Sequence, residues 1–223
     1  MLHKYIISVF LVLTTALPVY ADAVGVEPKD EKAKPQTANI YFSAGVNNKS
    51  ISELGVALNN MAINHPSVKN INMIINSPGG NVDAGKLGYM LVKSSRIPVR
   101  AINVGDTSSA ATFLFCGAKE RAALPGAYFV LHPAAQTMRN VELKPDVLRR
   151  LAKEIDNANA FIHDVYKQCT TMTDDEINQM LKAEYLSKNL SVSEASAIKL
   201  VNDSQESIPE AGISVFIHDG DKG

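Results

Sequence analysis

Three short segments contain the residue types that acyl-transfer chemistry requires: a hydroxyl nucleophile, a base and backbone N–H donors for a developing oxyanion. Ser109 lies in the stretch GDTSSAATF, whose small residues would let a substrate backbone approach closely. His132 follows the apolar run YFVL, and Gly79-Gly80 follow Ser77-Pro78 at the end of the predicted buried strand NMIIN. If the fold brings these segments together, they form a serine hydrolase centre.

Each segment also has an ordinary structural interpretation. A serine at the start of a small-residue helix can be a cap, and a histidine that closes a buried strand can be a satisfied edge residue. A glycine pair can be a simple strand-to-helix turn. The catalytic interpretation therefore depends on all three segments lying at the same edge of one sheet.

The predicted elements alternate along the chain. Strands are predicted over 40–44, 72–76, 99–104, 128–132 and 214–218, and helices over 50–64, 83–93, from about 108, 144–169, 173–182 and 191–199. Capping boxes are predicted at Ser50 with Glu53 and at Ser191 with Glu194. Strands that alternate with helices indicate an α/β fold with a mainly parallel sheet. Ligands of such sheets bind beyond the carboxyl ends of the strands, where the candidate nucleophile and base fall.

The amino terminus has the pattern of an export signal. A basic start at His3 and Lys4 precedes the apolar run YIISVFLVL, and the residues VYA then end at position 21. This order predicts a cleaved signal peptide over 1–21. The apolar run is shorter than the roughly 20 residues of a membrane span, which makes an uncleaved anchor the alternative. The polar, proline-containing segment 22–38 is predicted to be a flexible linker.

Composition limits the remaining possibilities. The 223 residues are 46% hydrophobic, which is enough for one domain over 39–223, and a net charge of −1 gives no support for a nucleic-acid surface. Cys116 and Cys169 lack the spacing of a metal site, so we expect no metal and no other cofactor. The two cysteines could pair in an oxidising compartment, although the apolar context FLFCGA favours a buried free thiol at Cys116.

Several segments resemble the proteolytic subunit of the Clp protease. Residues 72–85 (NMIINSPGGNVDAG), 105–114 (GDTSSAATFL) and 129–133 (FVLHP) are similar to its oxyanion, nucleophile and base segments, and 191–201 (SVSEASAIKLV) is similar to a later helix. The similarity spans about residues 39–203. It implies a ClpP/crotonase-like α/β fold of repeated β-β-α units, with a mainly parallel sheet and a protruding long helix.

The resemblance also implies a role for each matching residue. Ser109 takes the position of the nucleophile and His132 that of the base. Gly80 and Ala110 take the positions whose N–H groups form the oxyanion hole. The family usually reads A-S-M-G-A around the nucleophile, where this chain has SSAAT. Because the residue after the nucleophile acts through its N–H, alanine can serve there.

The third member of the triad is less clear. The family has an aspartate shortly before the S-x-x-E-A helix, whereas this chain has AEYLSKNL there. Depending on where a short insertion falls, Ser187 or Glu184 takes that place. Glutamate could orient a histidine as aspartate does, so Glu184 is the candidate, and Asp203 is a more distant one.

These observations together predict an ATP-independent serine endopeptidase, periplasmic or secreted, that acts on peptides or unfolded proteins. The chain is expected to form a homo-oligomer through the helix at 144–169, to bind no nucleic acid and to have no membrane span once processed. One alternative is a catalytically impaired scaffold or assembly partner of the same fold. Another is an acyl-CoA enzyme of the crotonase type, against which the export signal argues.

Overall fold

The computed structural model describes residues 24–26, 34–137, 142 and 144–219. The predicted signal peptide over 1–21 lies outside the described residues. The predicted linker over 22–38 contains a short strand at Val24–Val26, and the next strand already begins at Thr37. The Val24–Val26 strand pairs antiparallel with residues 214–216, in a strand near the carboxyl terminus. The edge of that strand offers backbone hydrogen-bond partners, and a pairing with so distant a segment cannot be predicted from the local sequence.

The elements follow the predicted alternation, with additional short strands. The strands are β1 (Val24–Val26), β2 (Thr37–Ser43), β3 (Asn70–Ser77), β4 (Val99–Ser108), β5 (Glu120–Ala123), β6 (Tyr128–Leu131), β7 (Lys188–Ser191) and β8 (Ile213–His218). The helices are α1 (Asn48–Asn64), α2 (Val82–Lys93), α3 (Ala111–Gly117), α4 (Pro145–Cys169), α5 (Asp174–Met180) and α6 (Val192–Ala197), and a 3₁₀ turn spans Glu184–Leu186.

One mainly parallel sheet organises these elements. Its strand order is β1-β8-β2-β3-β4-β6-β7, and β5 also pairs with β4. The pairs β1–β8 and β6–β7 are antiparallel, and the other pairs are parallel. This arrangement confirms the predicted α/β class. At the centre of the sheet, β3 is buried over five consecutive residues, so both of its faces are shielded from solvent.

β4 exchanges one neighbour for another along its length. Its first half pairs with β5, and Asp106–Ser108 then pair with Tyr128–Val130 of β6. The buried side chain of Asn103 bridges the exchange, because its amide donates to the Tyr128 carbonyl (2.8 Å) and its oxygen accepts from the Gly105 amide (3.0 Å). As a result, the carboxyl ends of β4 and β6 lie side by side.

The helix caps confirm one prediction and correct another. At α6, Ser191 and Glu194 form the predicted capping box. At α1 the box is formed by Asn47 and Ser50, and not by Ser50 with Glu53. The helix begins two residues earlier than expected, so that Ser50 occupies the third helical position and its hydroxyl accepts from the Asn47 amide (3.1 Å).

A disulfide joins Cys116 in α3 to Cys169 at the end of α4, with 5.5 Å between their Cα atoms. The free thiol favoured from the sequence at Cys116 is therefore incorrect, because folding brings together two cysteines 53 residues apart. The buried guanidinium of Arg121 strengthens the same region by donating to backbone carbonyls, including those of Cys169 and Leu200. Burial lowers the pKa of Arg121.

The last third of α4 packs into the domain, and the rest of the helix extends from it. Its buried side chains are all in the carboxyl-terminal part (Ile162, Val165, Tyr166 and Cys169). Leu148, near the amino-terminal end, is 49% exposed. No helix in the described ranges combines the length and apolar character needed to cross a bilayer.

Candidate active site

Ser109 occupies a sharp turn between β4 and α3. Its backbone has φ 53°, which is unusual for a residue other than glycine and costs about 1–3 kcal/mol. The turn is held because the Ser109 amide donates to the Val130 carbonyl on β6 (2.8 Å) and the Ser109 carbonyl accepts from the Thr112 amide (3.0 Å). Strain of this kind persists where surrounding structure imposes it, and it is concentrated at functional sites.

Gly79 lies directly against this turn. A Cβ atom at Gly79 would be 2.5 Å from the Ser108 carbonyl oxygen, 2.6 Å from the Ser109 Cβ and 2.9 Å from the Ala110 nitrogen. Its φ of 88° also favours glycine. The glycine pair is therefore more than a turn signal, because position 79 must lack a side chain for the two segments to meet.

The backbone on either side of Gly80 forms hydrogen bonds with Val46. The Val46 amide donates to the Gly79 carbonyl (2.7 Å), and the Asn81 amide donates to the Val46 carbonyl (2.8 Å). In the described part of the chain, the amides of Gly80 and Ala110 donate to no protein acceptor. These are the two donors that the sequence assigns to an oxyanion hole.

His132 follows β6 directly, at the edge of the sheet where Ser109 follows β4. The parallel pairing of Ser108 with Val130 brings the ends of these two strands together. Beyond the histidine, the Ala134 amide donates to the side-chain oxygen of Asn159 in α4 (2.8 Å). This hydrogen bond connects the segment after His132 to α4. The sheet thus places Ser109 and His132 at one edge, and Gly79 packs against the turn that holds Ser109.

Glu184 lies next to the histidine. Its Oε2 atom is 3.5 Å from Nδ1 of His132, and its side chain is 73% exposed. His132 Nδ1 is itself buried and has no hydrogen-bond partner in the described part of the chain. Ser187, the other candidate, directs its hydroxyl to the Glu184 carbonyl. Asp203, the third candidate, forms an ion pair with Arg100 instead (2.5 Å).

Comparison with known proteins gives the family. The family model for Clp protease matches residues 34–205, most of the chain. The chain belongs to the Clp protease family. Its fold is similar to that of a ClpP1 variant from Listeria monocytogenes, with a TM-score of 0.64. The two are 24% identical, and the match covers 77% of this chain and 92% of that chain. The resemblance read from the motifs is confirmed.

A cleft of about 350 Å³ opens beside Gly80, next to the proposed site. The start of α2, the segment that follows His132 and the middle of α4 form its walls. Asp83, Lys86 and Glu154 place charges along these walls. In this member of the Clp protease family, the cleft borders the proposed site at Gly80.

Two residues near Ser109 received no role from the sequence. The Thr112 hydroxyl donates to the Ser109 carbonyl (2.6 Å), and the buried Tyr166 hydroxyl lies 2.8 Å from the Thr112 oxygen. Burial raises the pKa of Tyr166, so its hydroxyl stays protonated. Neither residue could be found from spacing, because they lie 54 positions apart and meet only when α3 packs on α4.

Proposed function

We propose that this member of the Clp protease family is an ATP-independent serine endopeptidase that hydrolyses peptides or unfolded proteins outside the cytoplasm. Ser109 is its nucleophile and His132 its base. The N–H groups of Gly80 and Ala110 bind the oxyanion, and Glu184 orients the histidine. The third residue is the feature in which this chain departs most from its family.

The observation that carries the proposal is the strained backbone of Ser109 beside the unpaired Ala110 amide. A structural serine gains nothing from a left-handed conformation, and an unpaired N–H is unfavourable unless a ligand or water fills its place. A nucleophile at such a turn has its hydroxyl outside the regular packing of both the strand and the helix. Its neighbouring N–H then becomes available to the carbonyl oxygen that it attacks.

The reaction follows from these roles. Ser109 Oγ attacks the peptide carbonyl carbon, while His132 takes the hydroxyl proton and a C–O bond forms. The C–N bond then breaks, and the histidine gives the proton to the leaving amine. Water attacks the resulting acyl-enzyme with the same histidine as base, which releases the carboxylic acid and restores the serine. In both steps the carbonyl oxygen becomes negative and receives hydrogen bonds from Gly80 and Ala110.

Glu184 supports the base through charge. A carboxylate near Nδ1 favours the tautomer that leaves the other ring nitrogen free to accept a proton, and it stabilises the cation that forms. The side chain is largely exposed, so solvent screens its effect. We therefore infer a weaker contribution than that of a buried aspartate.

Two observations support an extracytoplasmic location. The first 21 residues have the order of an export signal, and Cys116 is bonded to Cys169, a pairing that persists in oxidising compartments. Such compartments lack the ATP that drives unfoldases, which is the reason to infer peptides or unfolded chains as substrates. Mass spectrometry of the protein from its native host should find a mature amino terminus near Asp22. A mature pool that retains Met1 would contradict export.

A fluorophosphonate probe tests the catalytic proposal. We expect labelling at Ser109, with formation of an O–P bond and loss of fluoride, and no labelling of Ser109→Ala. Ser108→Ala is the matched control, because the Ser108 hydroxyl already donates to Asp106. Ser109→Ala and His132→Ala should each abolish cleavage of fluorescein-labelled casein, and the double variant should be no worse, because the residues act as a unit. A Ser109→Ala protein with full activity would refute the assignment.

One observation favours the scaffold alternative. His132 Nδ1 accepts no hydrogen bond from the described residues and donates none to them, and its nearest carboxylate is exposed. A chain that kept the fold after losing its orienting aspartate would show this arrangement. Absence of fluorophosphonate labelling in a folded wild-type protein would decide for the scaffold. The match to the Clp protease family disfavours the acyl-CoA alternative.

A further inference from the structure

Both proposed oxyanion donors belong to peptide units that are anchored at their opposite ends. The Gly79 carbonyl shares a plane with the Gly80 N–H, and the Ser109 carbonyl shares a plane with the Ala110 N–H, because the peptide bond is planar and trans. In a trans peptide the C=O and N–H point in opposite directions. Whatever holds the carbonyl therefore determines where the N–H points.

The two anchors differ in kind. The Gly79 carbonyl accepts from a backbone amide, that of Val46 (2.7 Å). The Ser109 carbonyl accepts from the Thr112 amide (3.0 Å) and also from the Thr112 hydroxyl (2.6 Å). The second anchor thus includes a side chain, and a substitution can remove it without altering the backbone.

The Thr112 hydroxyl is itself held by Tyr166. A hydroxyl has a single proton, and that of Thr112 is given to the Ser109 carbonyl. The Tyr166 hydroxyl, 2.8 Å away, must therefore donate to the Thr112 oxygen. The result is a directed chain from Tyr166 through Thr112 to Ser109, in which each bond polarises the next. Tyr166 and Thr112 are fully buried, so water does not compete for these bonds.

We propose that Thr112 and Tyr166 are positioning residues that aim the Ala110 N–H at the oxyanion, an inference that rests on Ser109 being the nucleophile. They touch neither the substrate nor the reacting atoms. Their chain of hydrogen bonds holds the peptide unit between Ser109 and Ala110 in one orientation. It also strengthens the N–H as a donor, because a hydrogen bond to the carbonyl polarises the whole unit.

The placement of these hydroxyls distinguishes positioning from simple packing. The disulfide between Cys116 and Cys169 already joins α3 to α4, one turn beyond Thr112 and Tyr166 along both helices. The contact between the Thr112 and Tyr166 hydroxyls is therefore a second link between the same two helices. Unlike the disulfide, the hydroxyl chain ends on the strained peptide itself.

The experiment uses the whole mature protein and compares a double variant with a rescue variant and a control variant. Thr112→Val with Tyr166→Phe removes both hydroxyls, so neither remains buried without a partner, and the fold should be retained. Thr112→Ser keeps the hydroxyl and is the rescue variant. Tyr89→Phe is the matched control, because Tyr89 is also buried, yet its hydroxyl bonds Gln168 (3.1 Å) and has no link to Ser109.

The readouts are the second-order rate of labelling by a fluorophosphonate and the separate kcat and KM for fluorescein-labelled casein. The double variant should be labelled about 10- to 100-fold more slowly, less than the roughly 10²–10³-fold of deleting an oxyanion donor outright. The kcat should fall by a similar factor at unchanged KM, because the interaction acts on the transition state. Thr112→Ser and Tyr89→Phe should remain within about threefold of the wild type.

A double variant that melts like the wild type and is labelled at the wild-type rate would overturn the positioning role and leave the nucleophile assignment intact. A wild-type protein that is not labelled at Ser109 would refute the proposed function, and the positioning role with it. If the double variant does not fold, the comparison of Thr112→Val with Thr112→Ser decides. Equal labelling rates for those two variants would also overturn the proposal.

Discussion

The Nδ1 atom of His132 lies 3.5 Å from the Oε2 atom of Glu184. The distance is longer than a good hydrogen bond, and the carboxylate is exposed, so solvent screens its charge. The carboxylate belongs to a 3₁₀ turn that leads into β7, and β7 pairs antiparallel with the strand that ends at His132. The register ends where Leu131 pairs with Lys188, the neighbours of His132 and Ser187. Glu184 lies three residues before Ser187 and approaches the histidine from there.

Glu184→Gln should lower kcat by about 10²-fold, the lower end of the effect of losing an orienting carboxylate, because solvent screens this exposed side chain. Ser187→Ala should change kcat by less than about threefold, since its hydroxyl is directed to the Glu184 carbonyl. The measurement is casein hydrolysis by each variant, with thermal melting as a check on folding. A larger loss for Ser187→Ala would assign the orienting role to the serine.

Gly79→Ala should abolish activity, because the new methyl group would lie 2.6 Å from the Ser109 Cβ and displace the nucleophile. Gly126→Ala is the matched control. Gly126 has a similar φ of 84°, and no atom lies within 4 Å of the position that an added Cβ would take. Both variants therefore carry the backbone penalty of about 1 kcal/mol, and only Gly79→Ala also carries the clash. Fluorophosphonate labelling separates the two. Equal labelling of both variants would show that Gly79 does not shape the site.

Reducing the Cys116–Cys169 bond should lower the free energy of unfolding by about 2–4 kcal/mol, because the bond closes a loop of 53 residues in the unfolded chain. Urea unfolding with and without dithiothreitol measures the change. The variant Cys116→Ala with Cys169→Ala provides the control, and its unfolding midpoint should not respond to the reductant. A wild-type midpoint that is unchanged by reduction would contradict the prediction.

Leu148→Glu should shift a homo-oligomer towards smaller species. Leu148 is 49% exposed on the extended half of α4, the helix through which the chain is expected to form a homo-oligomer. Leu87→Glu is the control, since Leu87 is 52% exposed on α2. Light scattering at micromolar concentration gives the masses. A monomeric wild-type protein would refute the oligomer, and an equal effect of both variants would refute the role of α4.

The sequence predicted the central strands and the position of the three chemical segments directly after them, because apolar runs and turn residues determine these locally. It missed β5 and β7, whose charged residues at Glu120 and Lys188 hide their strand character. Such short strands form because a neighbouring edge is available, which is a tertiary property. The cap of α1 was misassigned for a related reason, since both Asn47 and Ser50 can cap and only the backbone decides between them.

The least predictable parts of the site depend on contacts between distant segments. The approach of Glu184 to His132 needs the pairing of β6 with β7, and the contact of Thr112 with Tyr166 needs α3 packed on α4. No local pattern encodes either contact. The disulfide shows the same limit, since two cysteines in one sequence allow a bond but do not require it.

The disulfide also determines how the molecule tolerates damage. His132, the cleft wall after it and nearly all of α4 lie between Cys116 and Cys169, whereas Ser109 precedes the crosslinked segment. Ala135–Thr137 are exposed and fall within the enclosed stretch, and exposed loop residues are the preferred sites of proteolytic cuts. After a single cut there, Ser109 and His132 remain on one fragment, and the disulfide keeps the other fragment, which carries α4 and Glu184, covalently joined to it.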